Sequence, residues 1–210
     1  MSSLTIIKSR LLASQFRQPR GLIGRLVGRA MARGDKEASY LTISQLDIQP
    51  DDHILEVGFG PGVGIKALSK MASKGFIAGI DFSKTMVQEA SKLNAIEIRD
   101  GRVQLKEANV SSIPYDNDSF NKVFAVNVVY FWPDIRGAIS EMKRVMKPGG
   151  TLALFMASLE LLVEMGLAQS PLYINKKPEE VINVLDEAGF HKVWVKPSSN
   201  RKVSCILAQK

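Results

Sequence analysis

The chain has 210 residues, 45% hydrophobic and 23% charged, with a net charge of +7 and a single cysteine. That is enough for one sizeable core of ordinary globular composition, and no apolar run approaches the roughly 20 residues of a membrane-spanning helix. Cys205 alone excludes an intrachain disulfide framework and fits a reducing, cytoplasmic setting, with the thiol read as a small buried hydrophobe.

The charge is segregated. Residues 1–36 hold eight Lys and Arg against one acid, Asp35, so this segment accounts for the whole net charge and the rest of the chain balances. An Arg- and Ser-bearing, acid-poor start has the composition of a transit peptide; we read it as structure. Leu4, Ile7, Leu11 and Leu12 give a loose helical pattern over 4–16, which Pro19 breaks. From Gly21, Leu22, Ile23, Leu26, Val27, Ala30 and Met31 recur at helical spacing, with Arg25, Arg29 and Arg33 on another face. This predicts a basic amphipathic helix ending near Gly34. A third helix is expected over 36–46, before the Gln49-Pro50-Asp51-Asp52 turn.

The period then changes. Strands are predicted at 53–57, 76–80, 102–107, 122–127 and 151–156, and helices at 62–73, 84–93 and 134–146. Alternation of this kind implies right-handed βαβ units and a parallel sheet covered on both faces. Pro178 suits the first turn of a helix that Gly189 ends, and strands 191–196 and 202–208 flank a Pro197-Ser-Ser-Asn200 turn. The fold class is therefore α/β, doubly wound and Rossmann-like. Its sheet is mostly parallel, with an antiparallel strand in a C-terminal hairpin and extra N-terminal helices. We divide it into a helical lid segment, 1–46, and one domain, 47–210.

The run Ile54-Leu-Glu-Val-Gly-Phe-Gly-Pro-Gly-Val-Gly64 sets Gly58, Gly60 and Gly62 between a buried strand and a helix. Such a turn lies at the carboxyl end of its strand, where open α/β sheets bind ligands, and glycine lets backbone approach a ligand closely. A dinucleotide fingerprint needs glycine at 63, which is valine, and Pro61 removes an N–H that could serve a pyrophosphate. Following Glu56, the spacing fits a nucleoside that carries an amino acid better than one that carries phosphates. Asp81, 23 positions after Gly58 at the next strand tip, is placed to accept from a ribose diol; a helix N-cap at Asp81 or Ser83 is the structural alternative.

With Gly79-Ile-Asp-Phe-Ser83, Ile113-Pro-Tyr-Asp-Asn-Asp-Ser-Phe120 and Val145-Met-Lys-Pro-Gly-Gly150, this turn resembles the class I S-adenosylmethionine-dependent methyltransferase family. Within it, the chain is similar to small bacterial-type ubiquinone/menaquinone-pathway C-methyltransferases. The resemblance covers about residues 40–155 and implies a seven-stranded sheet and S-adenosylmethionine as cofactor, with S-adenosylhomocysteine as product. It implies cofactor contacts from Glu56, Gly58, Gly60, Gly62, Asp81, Phe82, Asn109, Val110 and Asn127. Asn109 and Asn121 stand where the family usually has aspartate; an amide oxygen still accepts from an adenine amino group, and Asn121 is read as a turn residue.

Asn127 falls at the fourth strand's tip, followed by Tyr130, Phe131 and Trp132. Aromatic faces suit a sulfonium or an apolar acceptor, so Asn127 and Tyr130 are the catalytic candidates. Arg25, Arg29, Tyr40, Trp132 and Tyr173 are the substrate candidates; plain core packing is the competing explanation for the aromatics. The apolar insert 159–177, with Met165 and Leu167, completes the expected lid. Asn127-Val-Val-Tyr130 keeps only the outer residues of the Asn-Pro-Pro-Tyr pattern, which disfavours nucleic-acid base methylation. His53 and His191 begin strands, on the wrong edge for the cofactor, and no Cys/His cluster suggests a metal. The expected activity is methyl transfer to a small, largely apolar acceptor. The alternative is an RNA or protein methyltransferase recruited by the basic N-terminal helix. The three arginines can face an anionic group, a membrane surface or simply solvent. The acceptor, the methylated atom and the oligomeric state stay open.

Overall fold

A computed structural model describes residues 14–15, 17–164, 168, 170, 172–174, 176–197 and 203–210, with backbone alone for residues 22, 29–35 and 197. The expected helix over 4–16, the 198–200 turn, Met165 and Leu167 lie outside the described residues, apart from Ser14 and Gln15.

The strands are β1 (His53–Val57), β2 (Phe76–Asp81), β3 (Val103–Glu107), β4 (Phe120–Val126), β5 (Met146–Ala157), β6 (His191–Pro197) and β7 (Val203–Gln209). They form one seven-stranded sheet in the order β3-β2-β1-β4-β5-β7-β6. β1 to β5 pair in parallel, while β7 runs antiparallel to both β5 and β6. This is the doubly wound architecture with the hairpin edge expected from the sequence. Strand order reverses between β1 and β4, and such a switch point opens a crevice at the carboxyl ends of those strands.

Alternate strand residues feed two cores. Leu55, Val57, Val123 and Leu154 face α5 (Ile135–Val145) and α7 (Pro178–Glu187), meeting Ile139, Met142, Val181 and Leu185. Ile54, Ile77, Phe124 and Phe155 face the opposite side and meet Ile65 and Leu68 of α2 (Val63–Met71) and Ala90 of α3 (Lys84–Leu93). Central strands covered on both faces need apolar side chains in both directions, and each fully buried Leu or Ile contributes about 1.5–3 kcal/mol. A short α4 (Ala95–Arg99), not foreseen, follows Asn94 and precedes β3.

Two boundaries differ from expectation. The helices predicted to part near Gly34 are one, α1 (Gly21–Ile43). An interior glycine costs a helix only about 1 kcal/mol, whereas continuing it buries Ala38, Thr42 and Ile43, and α1 packs on α2, α3, β4 and β5. β5 also begins at Met146 rather than 151: Phe120 pairs with Met146 and Lys122 with Thr151, so Lys147-Pro148-Gly149-Gly150 is accommodated as a bulge, with Gly149 at φ +77°. Pro148 ends the helix, and the bulge absorbs its missing ladder hydrogen bond. Asn121 accepts from the His53 N–H (2.9 Å) and from Lys147 Nζ (3.2 Å), tying the starts of β1, β4 and β5 together.

Candidate active site

The turn after β1 is built against its neighbours. Gly58 has φ +75°, its N–H donates to the Ile80 carbonyl (2.7 Å), and a Cβ there would sit 2.7 Å from Val128 Cγ1. Only glycine allows the turns after β1 and β4 to approach so closely. Gly60, at φ +51°, has nothing within 4 Å of the place a Cβ would occupy, and it lines a cavity of about 930 Å³. The two remaining glycines serve packing. Gly62 caps α2 and meets Ala90, while Gly64 lies under the Glu56 carboxylate, 2.6 Å from an added Cβ.

Asp81 sits at the tip of β2 with 7% of its surface exposed. Its Oδ2 accepts from the Gly60 N–H (2.9 Å) and its Oδ1 from the Ser83 N–H (2.8 Å). Burial pushes its pKa up to about 6, against those two backbone donors, which lower it. A carboxylate has about four acceptor sites, so two remain for a ligand's donors. Ser83 is the N-cap of α3, accepting from the Met86 N–H (3.3 Å), and its hydroxyl donates to the Pro19 carbonyl (2.7 Å). The Gln18 amide donates to the Phe82 carbonyl (3.3 Å). The acidic loop is thereby latched to the chain leading into α1, which brings Arg17 and Pro19 to the cavity.

Asn127, at the tip of β4, takes φ +55° and donates its N–H to the Phe155 carbonyl (3.0 Å). Asparagine tolerates this left-handed conformation better than most residues, and it turns the strand into the 3₁₀ segment Val129–Phe131. Tyr130 is buried. Its hydroxyl donates to the Ala157 carbonyl (3.2 Å) and accepts from the Ala157 N–H, and its ring stacks on Tyr173 at 5.8 Å. Tyr130 thus ties Tyr173 and Ile174 to the sheet, its carbonyl accepting from the Ile174 N–H (2.9 Å), while its hydroxyl is engaged with the Ala157 backbone. Phe131 meets Tyr173 edge-on at 4.8 Å.

The cavity collects Glu56, Gly58, Gly60, Asp81, Phe82, Asn109, Val110, Asn127, Tyr130, Trp132 and Tyr173 of the residues expected from sequence. Asn109 is exposed, and its carbonyl oxygen accepts from the Ser111 N–H and hydroxyl, both at 3.1 Å. Gly62 does not line the cavity. Arg25 does not reach it either: its Nε lies 3.4 Å from Glu89 Oε1 on α3. Tyr40, half exposed on α1, also lies outside, and the Arg29 side chain is outside the described residues. Sequence reasoning missed Glu37, Ser39 and Leu41 of α1, and Val203 of β7. Their local pattern reads only as helix and strand, so no motif could have found them. His53 and His191 begin β1 and β6, at the edge away from the cavity.

The Ile113–Phe120 motif is held from α5. Arg144 makes a two-pronged contact with Glu141 (2.7 and 2.9 Å) and donates to the carbonyls of Ile113 and Tyr115, while Glu141 accepts from the Ile113 N–H. The Arg144 hydrogen bonds hold the Glu141 carboxyl below its ordinary range. Among the described residues, no group of three or more His, Cys, Asp or Glu side chains could hold a metal.

The model of a methyltransferase domain matches residues 55–154, from β1 into β5. YdaC, an uncharacterized methyltransferase of Bacillus subtilis (strain 168), is 33% identical over 135 residues, 64% of this chain and 72% of that protein. The chain belongs to the class I S-adenosylmethionine-dependent methyltransferases. YrhH, named as a methyltransferase in the same organism, is 36% identical over 115 residues, 55% of this chain, and the match spans only 63% of YrhH. A solved S-adenosylmethionine-dependent methyltransferase from Aquifex aeolicus shares the fold, with a TM-score of 0.66 at 22% identity over 81% of this chain and 88% of that one.

The family implies S-adenosylmethionine, and the residues fit it. A partly satisfied carboxylate at Asp81 suits a ribose diol, and the open space above Gly60 admits a ligand against the backbone.

Proposed function

We propose that this methyltransferase acts on a small, largely apolar acceptor by in-line displacement. One observation carries the reading. A single cavity of about 930 Å³ runs from the Gly60–Asp81 corner to a wall made by Tyr130, Phe131, Trp132, Leu161, Leu162 and Tyr173. That volume lies at the upper end of the ~300–1,000 Å³ usual for small-molecule sites, enough for a cofactor and an acceptor side by side.

S-adenosylmethionine supplies an electrophilic methyl group when bound. Asp81 would hold the ribose hydroxyls, Gly58 and Gly60 the backbone approach, and Phe82, Asn109 and Val110 the flanks of the adenine. Asn127, at the switch point between the two halves of the cavity, would orient the reacting groups. The aromatic and leucine wall, which includes the substrate candidates Trp132 and Tyr173, would exclude water and hold an apolar acceptor in line. Positioning of that kind can supply several kcal/mol of the barrier reduction, and a base is needed only where the nucleophile must lose a proton. The described part of the N-terminal segment, from Arg17 into α1, would cover the cofactor side, a reading supported by the contacts of Ser83 and Phe82 with Pro19 and Gln18.

Calorimetry with S-adenosylhomocysteine, followed by transfer of labelled methyl groups to an apolar metabolite extract, tests the proposal. No binding retires the cofactor reading. Binding, with label entering only RNA or protein, retires the small acceptor.

A further inference from the structure

The cavity is acidic although the chain is basic. Among the described residues its lining holds four carboxylates, Glu37, Glu56, Asp81 and Asp134, and one cation, Arg17. S-adenosylmethionine carries charge of both signs. Carboxylates and aromatic faces suit its sulfonium and its ammonium, but they repel its carboxylate, which few groups in the cavity can take.

The backbone of the glycine turn is already engaged. The N–H of Gly58 donates to the Ile80 carbonyl (2.7 Å), that of Gly60 to Asp81 (2.9 Å) and that of Gly62 to the Phe59 carbonyl (2.9 Å), and Pro61 has none. The amino end of α2 would favour an anion. Both Glu56 carboxylate oxygens, however, lie 2.6 Å from where a Cβ of Gly64 would stand, so a carboxylate already faces that end. The far wall runs from Tyr130 and Trp132 to Leu161 and Leu162 of α6 (Leu159–Glu164), and its charged member is Asp134.

Arg17, by contrast, is held at the cavity with its charge unspent. The Gln18 N–H donates to the Ser14 carbonyl (2.8 Å), and the Gln18 side chain donates to the Phe82 carbonyl (3.3 Å) while accepting from Arg20. Ser83 donates to the Pro19 carbonyl (2.7 Å). Gly21, at φ +59°, then turns the chain into α1, where Gly24 lies against Pro19. These contacts fix the residues after Arg17 on the loop that follows Asp81. Of the neighbouring arginines, Arg20 is taken up by Gln18 and Arg25 by Glu89. Arg17 is half-buried, and among the described residues no carboxylate pairs with it.

We propose that Arg17 binds the carboxylate of S-adenosylmethionine, so that the amino-acid end of the cofactor holds the N-terminal segment over the site. A guanidinium presents a planar fork of donors that matches a carboxylate. The assignment rests on the cofactor reading, and the two fail differently. Isothermal titration of the full chain with S-adenosylhomocysteine, and with decarboxylated S-adenosylhomocysteine as the probe that lacks only the carboxylate, separates them.

Arg17→Gln should bind S-adenosylhomocysteine about 10-fold more weakly, the discount for a partly exposed pair included. Its affinity for the decarboxylated compound and its thermal midpoint should match the parent's. Arg17→Lys, which keeps the charge without the fork, should fall between the two. If the parent binds neither compound, the cofactor reading fails and this assignment with it. If Arg17→Gln keeps the parent's affinity for S-adenosylhomocysteine, or loses affinity equally for both compounds, the assignment of Arg17 is overturned while the cofactor reading stands.

Discussion

Cofactor affinity should fall as pH drops through about 6, and Asp81 sets that window. In the ligand-free chain burial raises this carboxyl from 3.8 to about 6, while only two backbone N–H groups stabilise its charge. The hydroxyls of a ribose would add two more donors to the ionised form, so binding favours the carboxylate and lowers its pKa. The sign follows: above pH 6 the site is ready, and below it the carboxyl must first give up a proton. Each pH unit below the free-site value then weakens binding about tenfold. Isothermal titration of S-adenosylhomocysteine between pH 5 and 8 reads the effect, since the proton released appears as a buffer-dependent heat. Glu56 also lines the cavity, so Asp81→Asn is the control. It should bind at least ~100-fold more weakly, from the loss of two charge-assisted hydrogen bonds, and its residual affinity should no longer follow pH in this window. Affinity that is flat from pH 5 to 8, or an equal slope in the variant, would refute the assignment.

Other substitutions separate roles that the site combines. Gly60→Ala should cost only about 1–2 kcal/mol in stability, from its left-handed backbone, yet weaken S-adenosylhomocysteine at least ~10-fold because the methyl enters the cavity. Gly58→Ala should show the reverse emphasis in thermal unfolding, losing roughly 2–4 kcal/mol through the overlap with Val128. Tyr130→Phe strands the Ala157 N–H and carbonyl, costing about 1–3 kcal/mol; turnover should fall less than ~10-fold, and a loss of 10²–10⁴ would instead mark general acid–base chemistry. Arg144→Ala releases the Ile113–Tyr115 segment and should lower stability by roughly 2–3 kcal/mol in denaturant titration, with cofactor affinity less affected.

The central sheet was legible because its signals are local. Ile54-Leu55 and Ile77-Ala78 are apolar in both directions, as strands covered on both faces must be, and each is followed by a turn residue and a helix. The boundaries that slipped did so where tertiary contacts outweighed a local cost. Gly34 marks a stop for an isolated helix, but Ala38, Thr42 and Ile43 gain burial only if the helix runs on. Lys147 to Gly150 read as punctuation and are punctuation, yet the bulge keeps them inside the strand. Neither outcome is encoded in a window of a few residues.

The site divides along the same line, and its glycines show why. Gly58, Gly60, Gly62 and Gly64 look alike in sequence, two apart in one run. In the fold they meet four different things: Val128 from another strand's turn, open cavity, the helix residue Ala90, and the Glu56 carboxylate. At three of the four a Cβ would collide with protein, and only at Gly60 would it enter open space, although Gly58 and Gly64 also line the cavity. The motif could announce that a nucleoside binds here, because the close packing and the open position occur together. It could not say which glycine faces the ligand, since that depends on Val128 and Ala90, 70 and 28 residues away from their partners in the chain. The same reasoning separates the arginines. Arg17 reaches the cavity because Ser83 holds Pro19, whereas Arg25, in a more regular pattern, is turned to Glu89. Periodicity places a residue on a helix face; the contact that orients the helix decides what that face sees.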